Sequence, residues 1–242
     1  MVKTAERVLW RFVDRLIVVS PSIRTWYMTH IGVKKSEVIF NSPVMEDLSE
    51  EADEQYLRKH FGIAPDTLIF LYVGALVPGR GIEDLVEIFR RNDIGSSLVF
   101  LGYGPLSQWL EETAKDVPNI FIHEAVPHER VVSIVRSADV GLCMIQKVSL
   151  SDYYCLPNKL FEYCFAGIPV LASDFPDIAS VVAEYELGIC SPLERESIYR
   201  AIKQMEHEEK LPSVDQRRLY PLSWKAQEEK LITLYNDLFK DC

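Results

Sequence analysis

A chain of 242 residues, 48% of them hydrophobic, is long enough to bury a large core and belongs to the globular class. Its formal net charge of −10 argues against a nucleic-acid partner, which demands clustered Lys and Arg. No apolar stretch reaches the length of a membrane span, and Lys3, Glu6, Arg7, Arg11, Asp14 and Arg15 break any signal-peptide core, so the expected location is the cytoplasm. The chain opens with an expected helix from about Lys3 to Phe12, a strand at 16–20, a helix from Ile23 to Ile31 and a strand at 37–40. Ala5, Leu9, Phe12, Val13 and Leu16 form an apolar stripe beside Lys3, Arg7, Arg11 and Arg15. Such a helix suits packing on a neighbouring sheet, the expected role, or peripheral contact with a membrane surface. Four elements cannot build an independent sheet of useful size. Residues 1–43 therefore read as the closing part of a larger domain, and the acid-rich, aperiodic residues 44–54 as a linker.

From residue 55 to 220, apolar runs at 68–74, 97–102, 119–123, 139–145, 168–173 and 187–190 alternate with helical stretches. Runs this apolar are buried on both faces, so the expected fold is α/β, a Rossmann-like doubly wound parallel sheet with right-handed crossovers. Residues 211–221 form a proline-bounded connection to a last helix, Leu222 to Lys240. Along it Trp224, Gln227, Leu231, Leu234, Tyr235 and Leu238 recur at helical spacing, which calls for one buried side. Cys143, Cys155, Cys164, Cys190 and Cys242 are odd in number and form no C-x-x-C pair, as reduced core thiols would. The five histidines lack metal-ligand spacing, and neither a structural metal nor a cofactor is expected.

Three strand-to-helix turns carry the chemistry. In VGALVPGRG (73–81), Gly74, Gly79 and Gly81 allow close backbone approach to a ligand, Arg80 adds a fork suited to phosphate, and the helix from Ile82 to Arg91 offers its N-terminus. The pattern is neither G-x-G-x-x-G nor a Walker loop, and it also fits a plain glycine-rich turn. LGYGP (101–105) places Gly102 and Gly104 at a second turn, again open to a purely conformational reading. In YYCLPNKLFEYCFAGIPVLAS (153–173), Pro157 suits a first helical position, Gly167 stops the helix, and a buried strand follows. Lys159 and Glu162 share one helical face, as a cation for phosphate and an acceptor for hydroxyls, or else as a surface ion pair worth at most about 1 kcal/mol. All three turns follow strands of one parallel sheet, at the rim where ligands bind. A ligand with a diphosphate and a ribose would engage them all.

The stretches VGALVPGRGIEDLVEIF, FLGYGP, NIFIHEAVPHERVVSIVRSADVGLCMI and PNKLFEYCFAGIPVLAS, in this order and spacing, resemble the C-terminal, donor-binding half of the retaining GT-B glycosyltransferases of family 4. RLIVVSPSIRTWYMTHIGVKKSEVIFNSPV resembles the closing elements of the acceptor-binding N-terminal domain of that fold, and the last helix resembles the one that crosses back to it. The resemblance implies a fragmentary enzyme of glycan or polysaccharide biosynthesis that transfers a sugar from a nucleotide-diphosphate sugar, with retention. Arg80, Lys159 and Glu162 would form its catalytic set: the two cations on the donor diphosphate, the glutamate on the ribose. Arg80-Gly81 stands where the family has Lys-Gly, and Ala75 where it has a second basic residue. The family's other glutamate lies eight residues before the ribose-binding one; Tyr154 occupies that place here, with Asp152 the nearest acid, and both would lie near the donor sugar. Asn158 belongs to a P-N-K-L-F-E-Y version of the motif, and the backbone near Val126 would meet the nucleobase. Implied partners are the donor and a separate acceptor domain, or a second copy held through the C-terminal helix. A non-catalytic nucleotide-sugar-binding or partner subunit is the competing reading, and an epimerase of the same overall fold ranks last.

Overall fold

The computed structural model of the chain describes residues 2–44 and 53–240; most of the expected linker, residues 45–52, lies outside them. In chain order the elements are α1 (Val2–Leu9), β1 (Leu16–Val18), α2 (Pro21–His30), β2 (Ser36–Val38), α3 (Tyr56–Phe61), β3 (Ile69–Val73), α4 (Ile82–Phe89), β4 (Ser97–Leu101) and α5 (Ser107–Asp116). They continue with β5 (Ile120–His123), α6 (His128–Val135), β6 (Val140–Cys143), α7 (Leu150–Tyr153), α8 (Asn158–Ala166), β7 (Val170–Ser173), α9 (Pro176–Tyr185), β8 (Gly188–Ser191), α10 (Arg195–His207) and α11 (Trp224–Lys240).

Each expected strand is present; most are shorter than their apolar runs, while β8 keeps the length of its run, shifted by one residue to 188–191. The helix expected at 23–31 begins two residues earlier, since the Ser20 hydroxyl accepts from Ile23 N–H and Pro21 supplies a pre-set first-turn φ. Pro157 takes the capping position rather than the first helical one, with an extended backbone, and α8 begins at Asn158. The last helix begins at Trp224, because Tyr220–Leu222 tighten into a 3-10 turn. The two expected apolar stripes are only partly covered, with Trp224, Leu231 and Leu238 half-buried on the last helix and Val13 and Leu16 half-buried on the first stripe. Leu9 and Phe12 are exposed, and on α11 only Ala226, Gln227 and Leu234 are buried while Tyr235 is half in solvent.

β1 and β2 pair in parallel as a small separate sheet. The main sheet is six parallel strands in the order β5-β4-β3-β6-β7-β8. Period-2 alternation sends Ile69, Leu71, Val73, Val99 and Leu101 to one face, where they pack with α3, α6, α8 and α9. Phe70, Tyr72, Leu98, Phe100, Val140 and Leu142 go to the other, under α4, α5 and α10. Both faces are buried, which explains why the runs read as continuous rather than alternating. The chain winds outward from β3 in one direction and from β6 in the other, so the order reverses between these two neighbours. A crevice at their carboxyl ends is the consequence.

Polar contacts tie the N-terminal elements to this body. Asp177, buried at the start of α9, accepts from the Ser22 amide at 3.1 Å and the Ser22 hydroxyl at 3.0 Å. The Ser20 hydroxyl donates to the Tyr154 carbonyl at 2.6 Å. Gln227 of α11, fully buried, accepts from the Phe40 amide at 3.1 Å and donates to the Pro221 carbonyl at 2.6 Å.

Candidate functional site

The crevice between β3 and β6 is built around Tyr163. Its ring lies over Gly141, where a Cβ would stand 2.2 Å from the ring, and its hydroxyl accepts from Val73 N–H at 2.9 Å while donating to the Leu142 carbonyl at 3.1 Å. One side chain of α8 thus bridges the last residue of β3 and the penultimate residue of β6 near the point where they part, and fixes the helix over the switch point.

One turn before Tyr163, Lys159 reaches back across the crevice. Its ammonium sits 3.5 Å from the centroid of the Tyr72 ring and close to Gly74, whose Cβ position would lie 3.9 Å from the Lys159 Nζ. Among the described residues it has no carboxylate within ion-pairing distance. Burial lowers its pKa to about 8. α8 begins with no side-chain cap and no acid in its first turn, so its free N–H groups and Lys159 present positive potential together. The surface ion pair with Glu162 does not form. Glu162 is buried, its pKa raised by desolvation and pulled back by His128 and Lys159.

Arg80 lies on the β3–α4 turn, and its guanidinium Nη1 donates to Asp152 of α7 at 3.0 Å. The Ser149 hydroxyl holds the second oxygen of that carboxylate at 2.7 Å and accepts from the Asp152 amide at 3.1 Å. The hydrogen bond from Ser149, then the Arg80 guanidinium, keep Asp152 below the usual carboxylate range. Two of the expected site residues are therefore partners of each other.

The turn glycines have distinct duties. A Cβ on Gly102 would lie 2.0 Å from the Gly74 carbonyl oxygen, so the two turns touch backbone to backbone. Gly81 caps α4 at φ 74°, and a Cβ there would meet the Met144 carbonyl at 2.6 Å. The Gly79 carbonyl accepts from Gln146 N–H at 3.0 Å, and Gly104 N–H donates to the Ser107 hydroxyl at 2.9 Å. The N-terminus of α4 carries its own acids, Glu83 and Asp84; Asp84 pairs with Arg195 at 2.8 Å, which makes this end less open to an anion than that of α8.

Val126 is half-buried against the core, two residues before His128, whose charge Glu162 feels. Tyr154 lines a pocket of about 330 Å³ with Ile23, Trp26, Leu150 and Ser151, and Asn158 lines one of about 380 Å³ whose walls include Ile39, Phe40 and Trp224. These two residues thus border the cleft between the N-terminal elements and α7–α8. Sequence reasoning missed Tyr163, Tyr72, Ser149 and His128. The only signal for the first was a glycine inside an apolar strand, which marks close approach by another group. Among the described residues no cluster of three or more His, Cys, Asp or Glu is placed to hold a metal, and no helix is long and apolar enough to cross a membrane. The four described cysteines are free, and Cys242 lies outside the described residues.

In an open doubly wound sheet, a crevice at the switch point between two neighbouring strands is where ligands bind. The family model described as glycosyl transferases group 1 matches residues 53–217, and the chain belongs to that family. It is 26% identical over 161 residues to the putative teichuronic acid biosynthesis glycosyltransferase TuaC of Bacillus subtilis, covering 66% of this chain and 38% of that protein. It is 22% identical over 270 residues to a chitobiosyldiphosphodolichol beta-mannosyltransferase of Debaryomyces hansenii, covering 94% of this chain and 54% of that protein. The chain thus spans about half or less of the length of these curated relatives. Among solved structures, sucrose-phosphate synthase from Thermosynechococcus elongatus superposes with a TM-score of 0.80 at 20% identity, over 99% of this chain and 62% of that one. Anabaena HepE in complex with UDP superposes at 0.76 with 14% identity, over 98% and 68% of the two chains. These neighbours are GT-B glycosyltransferases, and the likeness establishes the fold as the Rossmann-like half of that architecture.

Proposed function

We propose that this chain is the donor-binding part of an enzyme that transfers a sugar from a nucleotide-diphosphate sugar to an acceptor, with retention at the anomeric carbon. The observation that carries the reading is Lys159: a half-buried lysine whose ammonium has no anionic partner among the described residues, set at the uncapped start of α8 beside the Gly74 backbone. A partly desolvated cation without a counter-charge is costly unless something compensates it, and a diphosphate is the ligand that fits two cations and a helix N-terminus. When the bond between the anomeric carbon and the diphosphate oxygen breaks, negative charge grows on the leaving group. Arg80 and Lys159 are the groups assigned to stabilise it. Glu162, buried and close to the Val126–His128 segment, is assigned to the ribose hydroxyls, with the nucleobase against the Val126 backbone. The acceptor is assigned to a separate domain that docks on the N-terminal elements. The HepE complexes with UDP and with UDP-glucose, alike in fold, support the choice of donor class.

Calorimetric titration with UDP, GDP and UDP-glucose tests the reading. Binding of at least one is expected, weakened by about tenfold or more in Lys159→Ala. No heat from any of the three up to millimolar concentration overturns the donor-site assignment. A second reading, a partner subunit without its own turnover, is favoured by Tyr154 standing where the family has a sugar-binding carboxylate. Donor binding combined with no transfer, even after the acceptor-binding part is supplied, would select it.

A further inference from the structure

The crevice holds its own counter-anion. Lys159 and Arg80 are its two cations, but among the described residues only Lys159 is without a carboxylate contact; Arg80 already donates to Asp152 at 3.0 Å, and its side chain is about one-third exposed against 22% for Asp152. Asp152 is not a wandering surface acid. Ser149 caps α7 through the Asp152 amide and grips the second carboxylate oxygen at 2.7 Å, so one oxygen is fixed to the turn while the other faces Arg80. Asp152 thereby neutralises Arg80, so an incoming diphosphate meets only Lys159 and the uncapped N-terminus of α8 as uncompensated positive charge among the described residues. The contact is made by Nη1 alone, which leaves the other guanidinium N–H groups available to begin an exchange.

We propose that Asp152 acts as an internal competitor for Arg80, which the diphosphate must displace, so that the Arg80–Asp152 pair sets the affinity of the site for nucleoside diphosphates. Resting on the donor-site reading above, this assigns Asp152 as a positioning and affinity-limiting residue rather than a sugar ligand. The effect grows with the charge on the ligand. A free nucleoside diphosphate, with an ionised terminal phosphate, is opposed by Asp152 more strongly than a nucleotide-sugar whose terminal phosphate is esterified. Discrimination against the leaving product is the functional consequence.

Titration of the full chain with UDP and UDP-glucose, in wild type, Asp152→Asn, Arg80→Ala and the double variant, tests this. Asp152→Asn is expected to tighten UDP about fivefold and UDP-glucose less, with the gain for UDP absent in the Arg80→Ala background and wild-type affinity kept by Asp152→Glu. Tighter binding is a readout that mere damage to α7 does not produce. If the wild type binds and Asp152→Asn binds equally or more weakly, the competitor role is overturned while the donor site stands. A gain that persists without Arg80 overturns the competitor role in the same way. Binding by Asp152→Asn alone would support both proposals, and binding by neither protein would overturn both.

Discussion

Lys159 concentrates the chemistry of the site in one titratable group. Burial against Tyr72 brings its pKa down from 10.5 to about 8, so the ammonium predominates at pH 7 and is lost within the range accessible to experiment. The protonated form is the one that attracts phosphate. Nucleotide affinity is therefore expected to be constant from about pH 6.5 to 7.5 and to fall above about pH 8, by up to about tenfold per pH unit, while Lys159→Arg, which stays charged, flattens the profile. A pH-independent affinity in the wild type between about pH 7 and 9.5 would remove Lys159 from the phosphate site. The sign for stability is the opposite. The folded chain binds fewer protons at this position than the unfolded one between about pH 8 and 10.5, so this lysine contributes stability as pH rises through that window.

At the scale of the element, α8 owes its place to Tyr163. The hydroxyl satisfies Val73 N–H, which lies at the open end of β3 where the switch point leaves no strand neighbour on that side. Removing that oxygen in Tyr163→Phe orphans a buried donor and is expected to cost about 1–3 kcal/mol, read as a lower denaturation midpoint. Nucleotide affinity should fall as well, because Lys159 and Glu162 ride on the same helix. A stability unchanged within error would show that the bridge is not what seats α8. Asn158, Lys159, Glu162 and the Gly167 stop were legible in the sequence because helix boundaries and charged residues leave local signals. Tyr163 was not: in sequence it is one more apolar position in a helix, and only the strand passing beneath it, with Gly141 opening the space, gives its hydroxyl two partners.

At the scale of the whole molecule, the small β1–β2 sheet and α2 are held to the large body by few, well-satisfied polar contacts: Ser22 with Asp177, Ser20 with the Tyr154 carbonyl, and Phe40 with Gln227. Gln227 joins three segments through one buried amide, so Gln227→Ala is expected to cost about 1–2 kcal/mol locally and to speed amide exchange in β2 and the start of α11 while leaving the six-stranded sheet protected. Uniform protection across the chain after the substitution would mean that α11 is held by its apolar contacts alone. The same contacts place Tyr154 and Asn158 on the cleft beside α2 and β2, so these elements also shape what approaches the donor crevice.

The alternation of apolar runs with helical stretches determined the parallel six-stranded sheet, because a strand buried on both faces writes its environment directly into its composition. The glycine-rich turns and the P-N-K-L-F-E-Y motif likewise determined which loops line the rim, since turn conformation and helix starts are local properties. Only the tertiary structure decided how the charges are shared. Arg80 and Asp152 are 72 residues apart in sequence, and Lys159 finds Tyr72 from the far side of the sheet, so neither the ion pair nor the contact of the Lys159 ammonium with the Tyr72 ring could be read from spacing. Charge pairing is a matter of distance in space, which the fold creates, whereas burial and turn chemistry belong to the residues themselves.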